Sequence, residues 1–326
     1  NMKIYNYFNK KYIKSLLIII VPIILMMNND ESLNIVHTPV MLNEVLSFIA
    51  KDSKIAVDAT LGEGGHTKAM LDLNLEVHSF ERDSIILEIA KNRLKNYDKF
   101  YYYNNTYDNI INELDESLIG NIDFILYDLG VSLFHFKKAE RGFSFKDNAK
   151  LDMRIGINEK SAYDIVNGYT KEELERIFRD YGEINNAKKI ANIIVKERNI
   201  RKIETSRELE NIIFHNTDKS ARYGKRHPAT LVFQAIRIEV NDELNILEKS
   251  INNIASILKK NGIAVFISYH SLEDRIVKKF FKENEKTKNK DGIFKLLNNK
   301  VKVPTSEEIK LNPASRSAKM RAVQKI

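Results

Sequence analysis

The chain has 326 residues, 43% hydrophobic and 29% charged, a composition that suits one large and one small globular domain with a real core. With no cysteine it excludes thiolate catalysis, cysteine-ligated zinc fingers and disulfides together, and with no tryptophan its aromatic roles fall to Tyr and Phe. The formal net charge of +8 permits a polyanionic partner without requiring one.

Taken in chain order, Lys3, Lys10, Lys11 and Lys14 precede the apolar run Leu16–Met27, which only Pro22 interrupts. The run is short for a membrane span and has the make-up of a signal or organelle-targeting segment, although no small-residue cleavage site follows it. A second reading starts the natural protein at Met26 or Met27. Residues 1–30 are therefore set apart as an atypical extension or targeting segment, and a cytoplasmic enzyme is expected, or an organellar one if the segment is a true targeting signal.

After Pro39, the apolar stripe Leu42, Val45, Leu46 and Ile49 predicts a helix. Lys54–Asp58 predicts a strand, Gly62–Gly65 break the chain, and His66–Leu71 is helical. Glu76–Phe80 predicts a second strand ending at Glu81, and Ile85–Leu94 a helix. Phe100–Tyr103 and Ile122–Tyr127 are the next strands, the latter ending at Asp128. Such alternation predicts parallel βαβ units with helices on both sheet faces.

From Phe136 to Lys225 the alternation stops. Helical stripes replace it: Leu174, Ile177 and Phe178, then Ile190, Ile193 and Ile194, then Glu208–Phe214 with a cap near Thr205 or Ser206. A long helix over Thr230–Leu258, a stop at Gly262 and the apolar strand Ile263–Ile267 follow. The economical arrangement is an α/β domain made of residues 31–135 and 227–326, with a helical domain, 136–226, inserted between the fourth and fifth strands. Two sequential domains would leave Ile263–Ile267 without a parallel neighbour.

Between Arg275 and Lys302 there are ten basic residues against three acidic ones, and the tail from Pro313 adds Arg316, Lys319, Arg321 and Lys325 without any acid. Two readings stand: a solvated, fraying surface, or a surface for RNA phosphates.

The segment Asp58-Ala-Thr-Leu-Gly-Glu-Gly-Gly-His66 follows a strand and opens a helix, a place where Gly62, Gly64 and Gly65 let backbone approach a ligand. Glu81, nineteen residues beyond Gly62, can accept hydrogen bonds from ribose hydroxyls. A plain βα turn with a surface glutamate is the other reading. Glycine spacing alone does not choose among nucleotide cofactors. A pyrophosphate would gain nothing from Asp58 and Asp128, whereas the sulfonium and ammonium of S-adenosylmethionine would.

Further stretches identify a resemblance. They are His37–Leu42, Asp58–Thr67, Asp128-Leu-Gly-Val-Ser132, Arg141-Gly-Phe-Ser-Phe145, Leu151-Asp-Met-Arg154 and Tyr181-Gly-Glu183. They continue in His227–Leu244, Ser268–Lys278 and Asn312–Lys319. Together these resemble the bacterial ribosomal RNA small subunit methyltransferase H family, which methylates N4 of a cytidine in 16S-type rRNA. The resemblance implies a class I, Rossmann-like methyltransferase sheet with an inserted all-helical domain, S-adenosylmethionine as methyl donor and small-subunit rRNA as partner. It implies cofactor contacts at Gly64, Gly65, His66, Glu81, Tyr107, Asp128 and His135. Where the family usually has Asp, Phe and Gln, this chain has Glu81, Tyr107 and His135; Leu133 replaces a serine and Tyr269 a phenylalanine. No stable protein partner is evident, and a homodimer is left open.

Methyl transfer from a sulfonium needs alignment and a route for the departing proton, not a covalent nucleophile. Asp128, at a strand end facing the cofactor crevice, is the first candidate beside the reacting centre, either at the target amine or at the methionine amino group. Asp152 and Arg154 form an acid–base pair with a salt-bridge alternative, and Arg141 between Phe143 and Phe145 either contacts RNA or packs the insertion. With the resemblance, His227, Arg237 and Asn241 are candidates for the substrate pocket, the last two lying on one helical face. His270 could relay a proton or fix its loop. The seven histidines make no HExxH or close ligand cluster, so no metal is expected. A DNA amino-methyltransferase would present a Pro-Pro-aromatic loop where Asp128-Leu-Gly-Val stands. A non-enzymatic RNA-binding assembly factor would not need the glycine turn and acidic strand ends together, and a small-molecule methyltransferase would not need the basic C-terminal third.

Overall fold

A computed structural model describes residues 39–326, apart from 133, 136–138, 146–147, 157, 219–221, 223–226, 288–289 and 299. The extension 1–30, with Leu16–Met27, and Leu133 therefore lie outside the described residues. The strands are β1 Ile55–Asp58, β2 Glu76–Phe80, β3 Phe100–Tyr103, β4 Ile122–Asp128, β5 Leu258–Ser268, β6 Phe294–Leu296 and β7 Lys319–Lys325. They form one seven-stranded sheet in the order β3-β2-β1-β4-β5-β7-β6. The first five strands are parallel, and β7 runs antiparallel between β5 and β6.

Helices cover both faces, which is why β4 is buried at each position from Ile122 to Tyr127 and carries the apolar run Phe124–Tyr127 in place of an alternating pattern. On one face Phe124 and Leu126 pack with Met70, Leu87 and Leu94 from helices α1 Leu42–Leu46, α2 Gly65–Asp72 and α3 Ser84–Leu94 and the segments beside them. On the other, Ile125 and Tyr127 pack with Leu247, Ile251 and Val277. The strand order reverses between β1 and β4, so a crevice opens beyond their carboxyl ends, where open α/β sheets place ligands.

Between β4 and β5 the chain builds α4 Ala162–Gly168, α5 Lys171–Asp180, α6 Ala187–Ile200 and α7 Ser206–Asn216. Reciprocal capping boxes at Ser161/Asp164, Thr170/Glu173 and Thr205/Glu208 start α4, α5 and α7 by satisfying amides that have no partner inside the helix. These helices share a core of their own, with Leu174, Ile177, Phe178, Ile194 and Leu209. Val232, Phe233 and Ile236 of the next helix, α8 Ala229–Asn241, belong to that same core, so the helical packing continues past residue 226.

The single helix expected over Thr230–Leu258 is two. Asp242 takes a left-handed conformation (φ 51°) that ends α8 and starts α9 Glu243–Ile257. Asp tolerates this region better than most residues, so no glycine or proline marks the break. The basic tail expected from Pro313 is likewise a correction: Lys319–Lys325 is β7, with Met320, Ala322 and Val323 buried. Two of its cations serve the fold, because Arg321 Nε donates to Asp274 at 2.7 Å and Lys325 Nζ to the Leu258 carbonyl at 2.6 Å.

Candidate active site

The turn after β1 is held by its own acid. Asp58 is fully buried; its Oδ1 accepts from the Thr60 amide at 3.1 Å and its Oδ2 from the Thr67 hydroxyl at 2.7 Å. Burial raises its carboxyl above the usual range. Both oxygens of Asp58, an expected cofactor contact, therefore accept from the turn that it shapes. Gly64 caps α2 with φ 80°, and a Cβ on Gly65 would stand 2.5 Å from Pro39 Cγ. Glycine at 65 is thus required by packing against the segment before α1, in addition to any ligand.

His66, the first full turn of α2, hydrogen-bonds the Val40 carbonyl through Nε2 at 3.0 Å, so that nitrogen carries the proton. Burial lowers its pKa, and its Nδ1 faces Asp128 Oδ2 at 3.7 Å. Asp128 ends β4, and Tyr269, directly after β5, donates its hydroxyl to Asp128 Oδ1 at 2.7 Å. The Tyr269 ring lies against Gly130, whose missing Cβ would meet it at 2.6 Å. Asp58, His66, Asp128 and Tyr269 thus gather at the ends of adjacent strands β1, β4 and β5, a concentration of carboxylate suited to a cation.

Glu81, just beyond β2, accepts from the Gly62 amide at 3.1 Å and from the Asp83 amide at 2.8 Å. Desolvation nonetheless pushes its carboxyl up to about 7. Next to it, Asp83 accepts from His135 Nε2 at 3.1 Å and from Arg141. His135 Nδ1 is buried with no hydrogen-bond partner among the described residues. Tyr107, beyond β3, sets its ring edge-on to Tyr127 with centroids 5.5 Å apart, and burial raises its hydroxyl well above the ordinary tyrosine range.

In the segment before α4, Arg154 Nε donates to Asp152 Oδ1 at 2.5 Å, so the expected pair forms. Arg141 is spent on Asp83, Phe143 is buried in the helical core, and Phe145 stacks on His227 at 4.6 Å. Asn241 is only 1% exposed. Its Oδ1 accepts from the Ile155 amide and Asn158 Nδ2, each at 2.8 Å, while its Nδ2 donates to the Met153 and Arg237 carbonyls at 2.8 and 2.9 Å. That side chain has no donor left for a substrate; it fixes the loop that carries Asp152 and Arg154. His227 accepts from the Ala229 amide at 3.2 Å and meets Glu210 at 3.2 Å, a capping and packing position. Asn241 and His227, expected as catalytic contacts, thus sit in hydrogen bonds and ion pairs within the protein.

His270 caps helix α10 Ser271–Asn284, its Nδ1 accepting from the Glu273 amide at 3.4 Å. With Glu243 and Glu273 it forms the group of potential metal ligands present among the described residues. Two contacts fix the geometry of this group. Arg237 grips both Glu243 oxygens at 2.9 Å, and His270 Nε2 lies 3.1 Å from Glu273 Oε1 but is buried without a hydrogen-bond partner among the described residues. Arg237 therefore supports this network from α8 and is held there by Glu243.

Sequence reasoning overlooked Asp83 and Arg82 and gave no role to Tyr269, which it named only as a departure from the family's phenylalanine. Each works through a partner distant in the chain, and the only local signal was their position one to three residues beyond a strand end.

A family model described as the MraW methylase family matches residues 34–326. The chain is 83% identical over 300 residues to the ribosomal RNA small subunit methyltransferase H of Brachyspira hyodysenteriae, covering 92% of this chain and 100% of that protein. The protein of the same name from Sulfurihydrogenibium sp. is 44% identical over 295 residues, covering 89% of this chain and 99% of its own. That from Borrelia hermsii is 43% identical over 302 residues, with 90% and 99% covered. With a turn and acidic strand ends placed as above and a match of this extent, the chain belongs to the MraW methylase family.

Proposed function

We propose that this protein transfers the methyl group of S-adenosylmethionine to the exocyclic N4 amine of a cytidine in small-subunit ribosomal RNA. The observation that carries the chemistry is the convergence of Asp128, His66 and Tyr269 at the carboxyl ends of β1, β4 and β5. Family membership supports the substrate class.

The residues fit the methyl donor. Carboxylates at Asp58 and Asp128 favour its cationic end, Glu81 offers acceptors for ribose hydroxyls, and the buried His135 Nδ1 is a polar atom waiting for a partner. When bound, the donor supplies an activated methyl carbon. The protein's share is to hold the amine in line with it and to accept hydrogen bonding from that amine as positive charge builds. Asp128 does this at the mouth of the crevice, with Tyr269 fixing the carboxylate's orientation. Asp152 and Arg154, held by the Asn241-anchored loop, face the target nucleotide, which must leave its stack at a cost of roughly a few kcal/mol. Exposed lysines of α10 and the segment after it meet RNA phosphates.

Labelled methyl transfer to hypomethylated small subunits tests the assignment of Asp128. Asp128→Asn should lower the turnover by about 10²- to 10⁴-fold, the usual worth of a positioned acid–base group. A variant that turns over at the wild-type rate would remove Asp128 from the reaction.

A further inference from the structure

We propose that Asp83 is a positioning residue for methyl transfer, a buried latch that holds the loop after β4 against the segment carrying Glu81. The inference rests on the methyltransferase reading above.

Three consecutive residues beyond β2 grip three different parts of the molecule. Glu81 accepts from Gly62 in the glycine turn at 3.1 Å. Arg82 Nη1 donates to the Asn241 carbonyl at the end of α8, at 2.9 Å. The backbone of Arg82 is also overlaid by Gly156, where φ is 74° and a Cβ would come within 2.5 Å of the Arg82 carbonyl oxygen. Asp83 takes the loop after β4 by its His135 and Arg141 side chains. The glycine turn, the helical insertion and the loop that begins at Asp128 are thereby referred to one short stretch of backbone.

Asp83 is the strongest of the grips. It is 1% exposed, and its Oδ1 also accepts from the Ile85 amide at 3.0 Å, capping α3. A carboxylate so enclosed is stable only with its cation in place, since removing one partner of a buried pair leaves an uncompensated charge. Its own amide donates to Glu81 Oε1 at 2.8 Å, so the carboxyl that would meet the ribose and the carboxyl that pins the loop share one rigid geometry. The pinned loop, in turn, presents His135 Nδ1, which is buried and has no partner among the described residues. The carboxyl that would meet the ribose and the side chains His135 and Arg141 are thus referred to one short stretch of backbone.

Asparagine at position 83 keeps helix capping and removes the charge, so it separates the latch from the cap. Asp83→Asn and Arg141→Gln should each weaken binding of S-adenosylhomocysteine, measured by calorimetry, by about tenfold or more. Each should raise the KM for S-adenosylmethionine by a similar factor while leaving the KM for small subunits near wild type. The double variant should be no worse than either single, as expected of one shared interaction. Arg141→Lys, which leaves the α3 cap untouched, should recover part of the affinity. Wild-type affinity in both singles, or losses that multiply in the double variant, would overturn the latch. Wild-type protein that fails to bind S-adenosylhomocysteine would overturn the methyltransferase reading itself, a result distinct from normal binding in wild type and variants alike.

Discussion

Glu81 has a carboxyl near pH 7 where a free glutamate titrates near 4.5, and the cause is desolvation opposed by two backbone amides. The folded chain therefore keeps a proton that the unfolded chain has released between those values, and this group's contribution to stability falls as pH rises through that window. Ribose hydroxyls donate to a carboxylate, so cofactor binding favours the charged form and draws the proton off. Affinity for S-adenosylhomocysteine should consequently strengthen as pH rises and level off above about 7. Calorimetry should find binding about tenfold weaker at pH ~6 than at pH ~8, with proton release at the lower value, and Glu81→Gln should flatten the dependence. Affinity that ignores pH would contradict the ribose assignment. At this scale the acids closing the expected strands were legible: Asp58, Glu81 and Asp128 each stand at the end of one. Asp83 and Tyr269 were not, because their partners His135, Arg141 and Asp128 lie 52, 58 and 141 residues away in sequence. No local pattern encodes such a pair.

Among elements, α8 joins helical insertion to sheet. One face packs in the helical core through Val232, Phe233 and Ile236, and its last residue, Asn241, ties down the loop carrying Met153, Ile155 and Asn158 with three side-chain hydrogen bonds. Asn241→Ala would strand the Ile155 amide and the Met153 carbonyl in a buried site. Urea unfolding should register a loss of about 2–3 kcal/mol, the scale for unsatisfied buried polar groups. An unchanged transition would mean the loop does not depend on this anchor. The early strands and helices were legible because short strand-like runs alternate with apolar stripes of helical period. Two later elements were hidden by physical causes. The α8–α9 break uses Asp242 in place of glycine, and β7 has lysine or arginine at three of its seven positions, so composition outweighed the alternation of Met320 and Ala322. Those cations lie over paired strands, with Arg321 and Lys319 both directed to Asp274.

For the whole molecule, the order of the sheet places β1 and β4 side by side with the insertion leaving from one of them, so the crevice and the helical insertion are neighbours by topology. Charge follows the same division: acids line the crevice, and the basic excess lies in the stretch from Arg275 to Lys302. A polyanionic substrate would be drawn by the latter and oriented into the former. The measurement that bears most directly on this account is nucleoside analysis after labelled methyl transfer, offered hypomethylated small subunits, free ribosomal RNA and DNA in parallel. The account predicts label in N4-methylcytidine from the subunits or their RNA and none from DNA. Label in DNA, label in another nucleoside, or intact binding to subunits with no incorporation would contradict it.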